Sequence, residues 1–125
     1  MITHSKFIRK RSFSGGAVYG KNSFFTVDQS EFNGNYATSG GAVYLFNSDP
    51  IIENCSFRSN QSFGGGVIYV RNSSPLIRKV EFTHNNATSD GGVFYATGSE
   101  FSMKNLVLKN TGLLIPRIKQ LKFWC

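Results

Sequence analysis

A five-residue motif recurs four times along the chain at an almost constant spacing. It consists of two glycines, two apolar residues and a tyrosine, and its copies are separated by 25, 25 and 26 residues. The four copies are Gly15–Tyr19, Gly40–Tyr44, Gly65–Tyr69 and Gly91–Tyr95. Periods of about 20 to 50 residues mark proteins that are built from stacked or radially arranged units. The repeat therefore restricts the chain to an array of near-identical structural units.

Two further sets of residues keep the same period. A Phe-x-x-Asn pair recurs every 25 residues at Phe32–Asn35, Phe57–Asn60 and Phe82–Asn85, with Phe7 one period earlier and Asn110 one period later. The other set is apolar and consists of Ile2, Val27, Ile52 and Ile77. Because three independent sets agree on one period, the repeat covers most of the chain.

The residues within one period are typical of β-strands. The segment Ala42–Phe46 is rich in β-forming residues, and turn-forming residues follow it at Asn47–Pro50. Shorter strands are predicted at Ile51–Ile52 and Cys55–Phe57. No window before residue 112 has the helical i, i+3, i+4, i+7 spacing of apolar residues. We therefore predict an all-β parallel β-helix, a solenoid of about four to five coils of about 25 residues with three short strands per coil.

We expect residues 1–112 to form the coils, and residues 113–125, which are apolar and basic, to form a tail or cap. Coils about 4.8 Å apart would place each residue over its equivalent in the next coil. Phenylalanines would then fill the interior, asparagine amides would hydrogen-bond along a ladder, and Gly-Gly pairs would form tight corners. The predicted structural ladder consists of Phe7, Phe32, Phe57, Phe82, Asn35, Asn60, Asn85, Asn110, Gly15, Gly16, Gly40, Gly41, Gly65, Gly66, Gly91 and Gly92.

The strand after each Gly-Gly pair should turn one face inward and one face outward. Lys21 and Arg71 mark the outer face, and alternation assigns Ala42, Val67 and the four tyrosines to that same face. Exposed tyrosines on a flat sheet form a plausible binding platform. The alternative, that the tyrosines pack inward or merely flank one another, stays open at this point. The candidate binding residues are Tyr19, Tyr44, Tyr69 and Tyr95.

The positive charge of the chain is concentrated at its two ends. The net charge is +7, with four basic residues in 1–11 and five in 104–125, whereas the stretch between them has a net charge of −2. No pattern of aromatic residues and arginines runs through the body, so no nucleic-acid partner is expected. No apolar run approaches the roughly 20 residues of a transmembrane helix. Residues 1–11 contain no apolar core of a signal peptide.

The pairing of Gly-Gly-Ala-Val-Tyr with Phe-x-x-Asn, over residues 2–110, resembles the repeats of polymorphic outer membrane proteins, an autotransporter-type adhesin family. The resemblance implies a right-handed, single-stranded parallel β-helix on the extracellular or outer-membrane surface. It implies non-catalytic attachment to a host or surface protein or to a glycan. Because Met1 and Ile2 fall in the middle of a coil, we also expect neighbouring coils of a longer parent chain to continue the solenoid. In that family the two motifs themselves are linked to binding.

The alternative function is that of a polysaccharide lyase or glycoside hydrolase, because such enzymes also use β-helices. They need clustered carboxylates as acids, bases or calcium ligands. The period aligns Asp28, Glu53 and Arg78 on three successive coils, and it places Glu31 and Glu81 two coils apart. We interpret the first group as a surface charge ladder.

No other motif carries recognisable chemistry. His4 and His84 occupy different positions of the repeat, and no Ser/His/Asp or Cys/His arrangement is found. Cys55 and Cys125 form neither a disulfide framework nor a zinc motif, and Cys55 is expected to be a small, partly buried residue. The sequence therefore predicts no catalytic residue, no metal site and no cofactor.

Overall fold

The computed structural model describes residues 1–64, 67–87, 94–98, 100–109 and 120–124, and no helix that could span a bilayer occurs among them. Of the predicted ladder residues, Gly65, Gly66, Gly91, Gly92 and Asn110 lie outside the described residues, as does most of the tail 113–125. The strands are, in chain order, β1 (Ile2–Thr3), β2 (Lys6–Ile8), β3 (Arg11–Ser14), β4 (Val18–Lys21), β5 (Thr26–Asp28), β6 (Glu31–Asn33), β7 (Tyr36–Ser39), β8 (Val43–Phe46), β9 (Ile51–Glu53), β10 (Ser56–Arg58), β11 (Gln61–Ser62), β12 (Ile68–Arg71), β13 (Leu76–Thr83), β14 (Asn86–Ala87), β15 (Phe94–Thr97), β16 (Glu100–Lys109) and β17 (Gln120–Trp124).

The strands form three sheets in which equivalent residues of successive coils lie beside one another. Sheet B contains β3, β7, β11 and β14, sheet C contains β4, β8, β12 and β15, and the other nine strands form sheet A. All pairings are parallel, and Phe57 lies between Phe32 on one neighbouring strand and Phe82 on the other. The predicted parallel β-solenoid with a 25-residue register is therefore confirmed.

The structure adds one strand segment per coil that the sequence did not indicate. The polar residues that lead to each Gly-Gly pair form sheet B, as Gln61–Ser62 does in β11. The strands predicted near Ile51 and Cys55 both belong to sheet A, and one coil later their equivalents merge into the single strand β13. Each coil therefore contributes to three sheets, and the strands predicted from the sequence belong to two of them, sheets A and C.

The last described strand, β17, extends sheet A beyond the repeat register. It pairs in parallel with β16, so that Glu100 lies opposite Gln120 and Lys104 lies opposite Trp124. The first half of β16, Glu100–Lys104, is thereby paired within the sheet instead of being left as an open strand edge.

A column of stacked phenylalanine rings fills the centre of the solenoid. Phe32, Phe57 and Phe82 have no exposed surface, and Phe7 packs partly buried at the end of the column. Ring centroids are 4.9 Å apart for Phe7 and Phe32, 4.4 Å for Phe32 and Phe57, and 5.0 Å for Phe57 and Phe82. Burial of an aromatic side chain stabilises the fold by about 1.5–3 kcal/mol, and ring contact adds to this.

Next to the phenylalanines, buried asparagine amides form a continuous hydrogen-bonded column. The Asn60 side-chain nitrogen donates to Asn85 Oδ1 on the next coil and to the Phe32 carbonyl on the previous one, both at 2.9 Å. Asn60 Oδ1 in turn accepts from the backbone N–H and the side-chain amide of Asn35, at 3.1 and 3.0 Å. The Asn60 amide thus links three coils. Because both its nitrogen and its oxygen are hydrogen-bonded, the cost of burying a polar group is offset.

The Gly-Gly corner needs glycine twice, for two different reasons. Gly40 has φ of 64°, a conformation that disfavours residues with a side chain. Gly41 is pressed against the next coil, and a Cβ atom there would lie 2.1 Å from the Gln61 carbonyl oxygen. The first glycine therefore sets the turn, and the second allows successive coils to approach.

Replacing Gly41 with alanine is expected to lower the free energy of unfolding by about 3 kcal/mol or more, because the methyl group would meet backbone that cannot move aside. Gly64→Ala is the matched control, since a Cβ atom at Gly64 meets only the Thr38 carbonyl oxygen, at 3.8 Å. Urea denaturation followed by circular dichroism measures both. Equal stability of the two variants would contradict the close approach at Gly41.

Candidate functional site

Four tyrosines form a column on the outer face of sheet C. They lie directly opposite one another on β4, β8, β12 and β15. Tyr19, at the N-terminal end of the column, is 54% exposed, and the other three tyrosines are partly exposed. In contrast, Val43 and Leu45, which flank Tyr44 on β8, are buried. The structure thus places the candidate residues Tyr19, Tyr44, Tyr69 and Tyr95 on the outside of the solenoid, not in its core.

The prediction that Ala42 and Val67 share this outer face is wrong, because both are fully buried. The reason is local backbone geometry at the corner. The N–H groups of Ala42 and Val43 both donate to the Val67 carbonyl, at 2.9 and 3.2 Å. Two consecutive residues therefore share one acceptor, and strict strand alternation begins only at Val43, the first residue of β8.

The tyrosine rings lie almost parallel and cover one another's faces. Centroids are 5.2 Å apart for Tyr19 and Tyr44, 4.7 Å for Tyr44 and Tyr69, and 4.8 Å for Tyr69 and Tyr95, with interplanar angles of 4°, 4° and 14°. Burial raises the pKa of Tyr69, and the neighbouring phenols of Tyr44 and Tyr95 raise it further. The column therefore offers ring edges and phenol hydroxyl groups to a ligand, since the faces of the inner rings are already occupied.

A second column on the same face is basic and aromatic. It contains Lys21, Phe46 and Arg71, and the Arg71 guanidinium lies 5.4 Å from the centre of the Phe46 ring. This is a cation–π contact, which orients the arginine along the sheet. No acidic residue stands at the outward positions of sheet C that the structure describes, so this face is uniformly neutral or positive.

A serine ladder, not predicted from the sequence, borders the tyrosine strands. The backbone N–H of Ser23 donates to Ser48 Oγ at 3.1 Å, and that of Ser48 donates to Ser73 Oγ at 2.8 Å. The preceding asparagines, such as Asn47 with φ of 50°, turn the chain out of sheet C. The signal was available, because Ser23, Ser48 and Ser73 are 25 residues apart. The ladder fixes the edge of the candidate binding face.

The carboxylates considered for catalysis are engaged by neighbouring side chains. Asp28 lies opposite Glu53, as the period predicted. Glu53 accepts a 2.6 Å bond from the Nε of Arg78, and Asp28 accepts a 2.9 Å bond from the Asn54 amide. Within the described parts of the chain, no group of three or more His, Cys, Asp or Glu side chains could hold a metal ion.

Cys55 is a buried free thiol that belongs to the small-residue column containing Ser30. Its Sγ donates to the carbonyl of Glu53 at 3.0 Å. Burial raises the pKa of the Cys55 thiol from 9.0 to about 11, and the nearby Asp28 and Glu53 carboxylates contribute to the rise. The thiol is therefore protonated at neutral pH, which suits a structural role and not that of a nucleophile.

Raising the pH from about 8 to about 10.5 is expected to destabilise the native chain more than the Cys55→Ser variant. The unfolded thiol ionises near 9.0 and the folded thiol near 11. The contribution of the buried neutral thiol is complete below the unfolded pKa and is lost as the pH rises through the folded pKa. Urea midpoints at about pH 8 and about pH 10.5 measure it. Equal losses in the two proteins would contradict the raised pKa.

The chain matches the family model described as a right handed beta helix region over residues 2–115. It belongs to the right-handed β-helix family. Membership in the right-handed β-helix family agrees with the parallel sheets and confirms the fold predicted from the repeat. No curated protein and no solved structure matches the chain significantly.

Proposed function

We propose that this right-handed β-helix is a non-catalytic recognition module that attaches to a protein partner through its tyrosine face. The stacked column of Tyr19, Tyr44, Tyr69 and Tyr95 on the outside of sheet C is the observation that carries the proposal. The resemblance of the paired repeat motifs to those of surface adhesins supports it, and with it an extracellular or outer-membrane location as a segment of a longer solenoid.

The geometry of the rings favours a protein over a sugar at this face. A sugar ring stacks on the face of an aromatic side chain, but the faces of Tyr44 and Tyr69 are covered on both sides by their neighbours. Ring edges and phenol hydroxyls instead suit the mixed apolar and hydrogen-bonding surface of a protein, where tyrosine is enriched at binding hot spots. The flat sheet C would present these groups over four coils.

The double substitution Tyr44→Ser/Tyr69→Ser is expected to weaken attachment to a matrix protein by about tenfold or more, which is about 1.4 kcal/mol. Immobilised collagen, laminin and fibronectin serve as probes, and surface plasmon resonance measures the affinity. Tyr36→Ser is the matched control, because Tyr36 lies outside the ladder in sheet B. Circular dichroism checks that each variant keeps its β-structure.

Two outcomes contradict the proposal. One is a folded double variant that binds as well as the native chain, and the other is a native chain that binds none of the three probes. Asp28 is hydrogen-bonded to Asn54 and Glu53 is paired with Arg78, which gives no specific support to the lyase or hydrolase alternative.

A further inference from the structure

Sheet B carries a second outward surface that differs from the tyrosine face in chemistry. Its strands place Arg11, Tyr36 and Gln61 in one column on successive coils. The column beside it contains Phe13 and Thr38, and Phe13 is 85% exposed. Because Thr38 and not an aromatic residue follows Phe13 on the next coil, the ring has no stacking partner there. Sheet B therefore offers an exposed aromatic ring, whereas the inner rings of the tyrosine column are covered on both faces.

A polar cleft of about 440 Å³ lies at the corner that leads into sheet B, and residues of three successive coils line it. It is lined by Arg9, Arg11, Gly34, Tyr36, Ser59 and Gln61, together with the buried ladder residue Asn35. No carboxylate lines it, and neither arginine forms an ion pair with the residues that the structure describes. The cleft therefore combines two guanidinium groups with the hydroxyl groups of Tyr36 and Ser59 and the amide of Gln61, all of which can donate hydrogen bonds.

The two arginines are supported by the coils beneath them. The Arg11 guanidinium lies 5.3 Å from the centre of the Tyr36 ring, a cation–π contact that holds it beside the cleft. The Arg9 side chain runs over Gly34, where a Cβ atom would come within 3.7 Å of the Arg9 Cγ. This is an ordinary contact distance, so Arg9 lies close to the Gly34 backbone, and the φ of 69° at that position is what favours glycine.

We propose that this cleft binds an acidic sugar chain. Sulfate or carboxylate oxygens would accept hydrogen bonds from Arg9 and Arg11, whose planar guanidinium groups match such oxyanions. A sugar ring next to the charged group would pack its C–H face on the exposed ring of Phe13. The site lies on sheet B and is independent of the protein-binding function proposed for sheet C.

Heparin, polygalacturonate and uncharged dextran are the probes, and isothermal titration calorimetry of the whole chain at low ionic strength measures binding. We expect affinity for heparin, polygalacturonate or both, and none for dextran. Binding of only one polymer assigns the oxyanion as sulfate or as carboxylate. The variant Arg9→Gln/Arg11→Gln should bind at least about tenfold more weakly. Phe13→Ser should lose about three- to fivefold while keeping the salt dependence.

The matched control is Lys21→Gln/Arg71→Gln. It also removes two positive charges, but from sheet C, and it should change the affinity less than twofold. If the two double variants lost affinity equally, binding would depend on net charge and not on the cleft, which would overturn the proposal. Absence of binding to both acidic polymers would also overturn it. So would tighter binding to vesicles of phosphatidylserine and phosphatidylcholine than to either polymer, because the partner would then be a lipid surface.

Discussion

Replacing Asn60 with aspartate is expected to lower the free energy of unfolding by about 4 kcal/mol at neutral pH. The substitution keeps the size of the side chain but removes both donor hydrogens, which now bond Asn85 Oδ1 and the Phe32 carbonyl. It also places a carboxylate oxygen against Asn85 Oδ1 without a compensating cation. The change therefore combines an uncompensated buried charge with two lost hydrogen bonds.

The pH dependence of this loss identifies its cause. Burial would raise the pKa of the new carboxyl group in the folded state. The protonated form is then favoured in the fold, so the stability deficit should shrink as the pH falls toward about 4 and grow as it rises. Asn86→Asp is the control, because Asn86 is exposed in β14, and it should change stability by less than about 0.5 kcal/mol. A deficit below about 1 kcal/mol for Asn60→Asp would show that the amide column contributes little.

Replacing Phe57 with alanine is expected to cost about 4 kcal/mol, the usual range for a large aromatic residue in a core. Phe57 has no exposed surface and lies between two rings, with centroids 4.4 Å from Phe32 and 5.0 Å from Phe82. The stacked backbones hold the coils at a fixed separation, so neighbouring side chains can fill only part of the cavity. Urea denaturation followed by circular dichroism provides the measurement.

Phe24→Ala is the control for this prediction, because Phe24 is 85% exposed in the turn between β4 and β5. Its removal should change the free energy of unfolding by less than about 0.5 kcal/mol. If the two phenylalanine variants had the same stability, the stacked column could not be the centre of the core.

The two ladders stabilise the solenoid in different ways. The phenylalanine column supplies buried apolar area, which tolerates small shifts between coils. The asparagine column requires each amide to meet the next in register, since a shift of one residue would leave Asn60 without its partners. We infer that the asparagines select the 25-residue register, whereas the phenylalanines supply much of the driving force for folding.

The fold could be predicted because the repeat is visible in several residue types at once. The residue types of Phe57 and Asn60 recur at the same position of successive coils. Residues that are 25 positions apart in sequence therefore stack on one another in space, as Phe57 does on Phe32 and Phe82. Sheet B could not be predicted in this way. Gln61 and Ser62 have no strong preference for strands, and their conformation is imposed by the coils above and below.

The candidate site could be predicted only in part. Alternation from Lys21 and Arg71 correctly placed the tyrosines outside, but it failed at Ala42, where two N–H groups share the Val67 carbonyl. The face-to-face stacking of the tyrosine rings could not be predicted from the sequence either, because it depends on the side-chain torsion angles of each tyrosine. The cleft beside Arg9 could not be predicted, because its shape depends on the side-chain conformations of residues from three coils.

Spin–spin coupling between nitroxide labels at Gln61 and Asn86 tests the stacking of coils most directly. The two residues are 25 positions apart and lie opposite each other in sheet B, and both are exposed. In a Cys55→Ser/Cys125→Ser background, the pair should show strong dipolar broadening, because adjacent strands are about 4.8 Å apart. Labels at Gln61 and Asn72, closer in sequence but at different positions of the coil, should interact far less. A Gln61/Asn86 pair without broadening would contradict the stacked register on which the account depends.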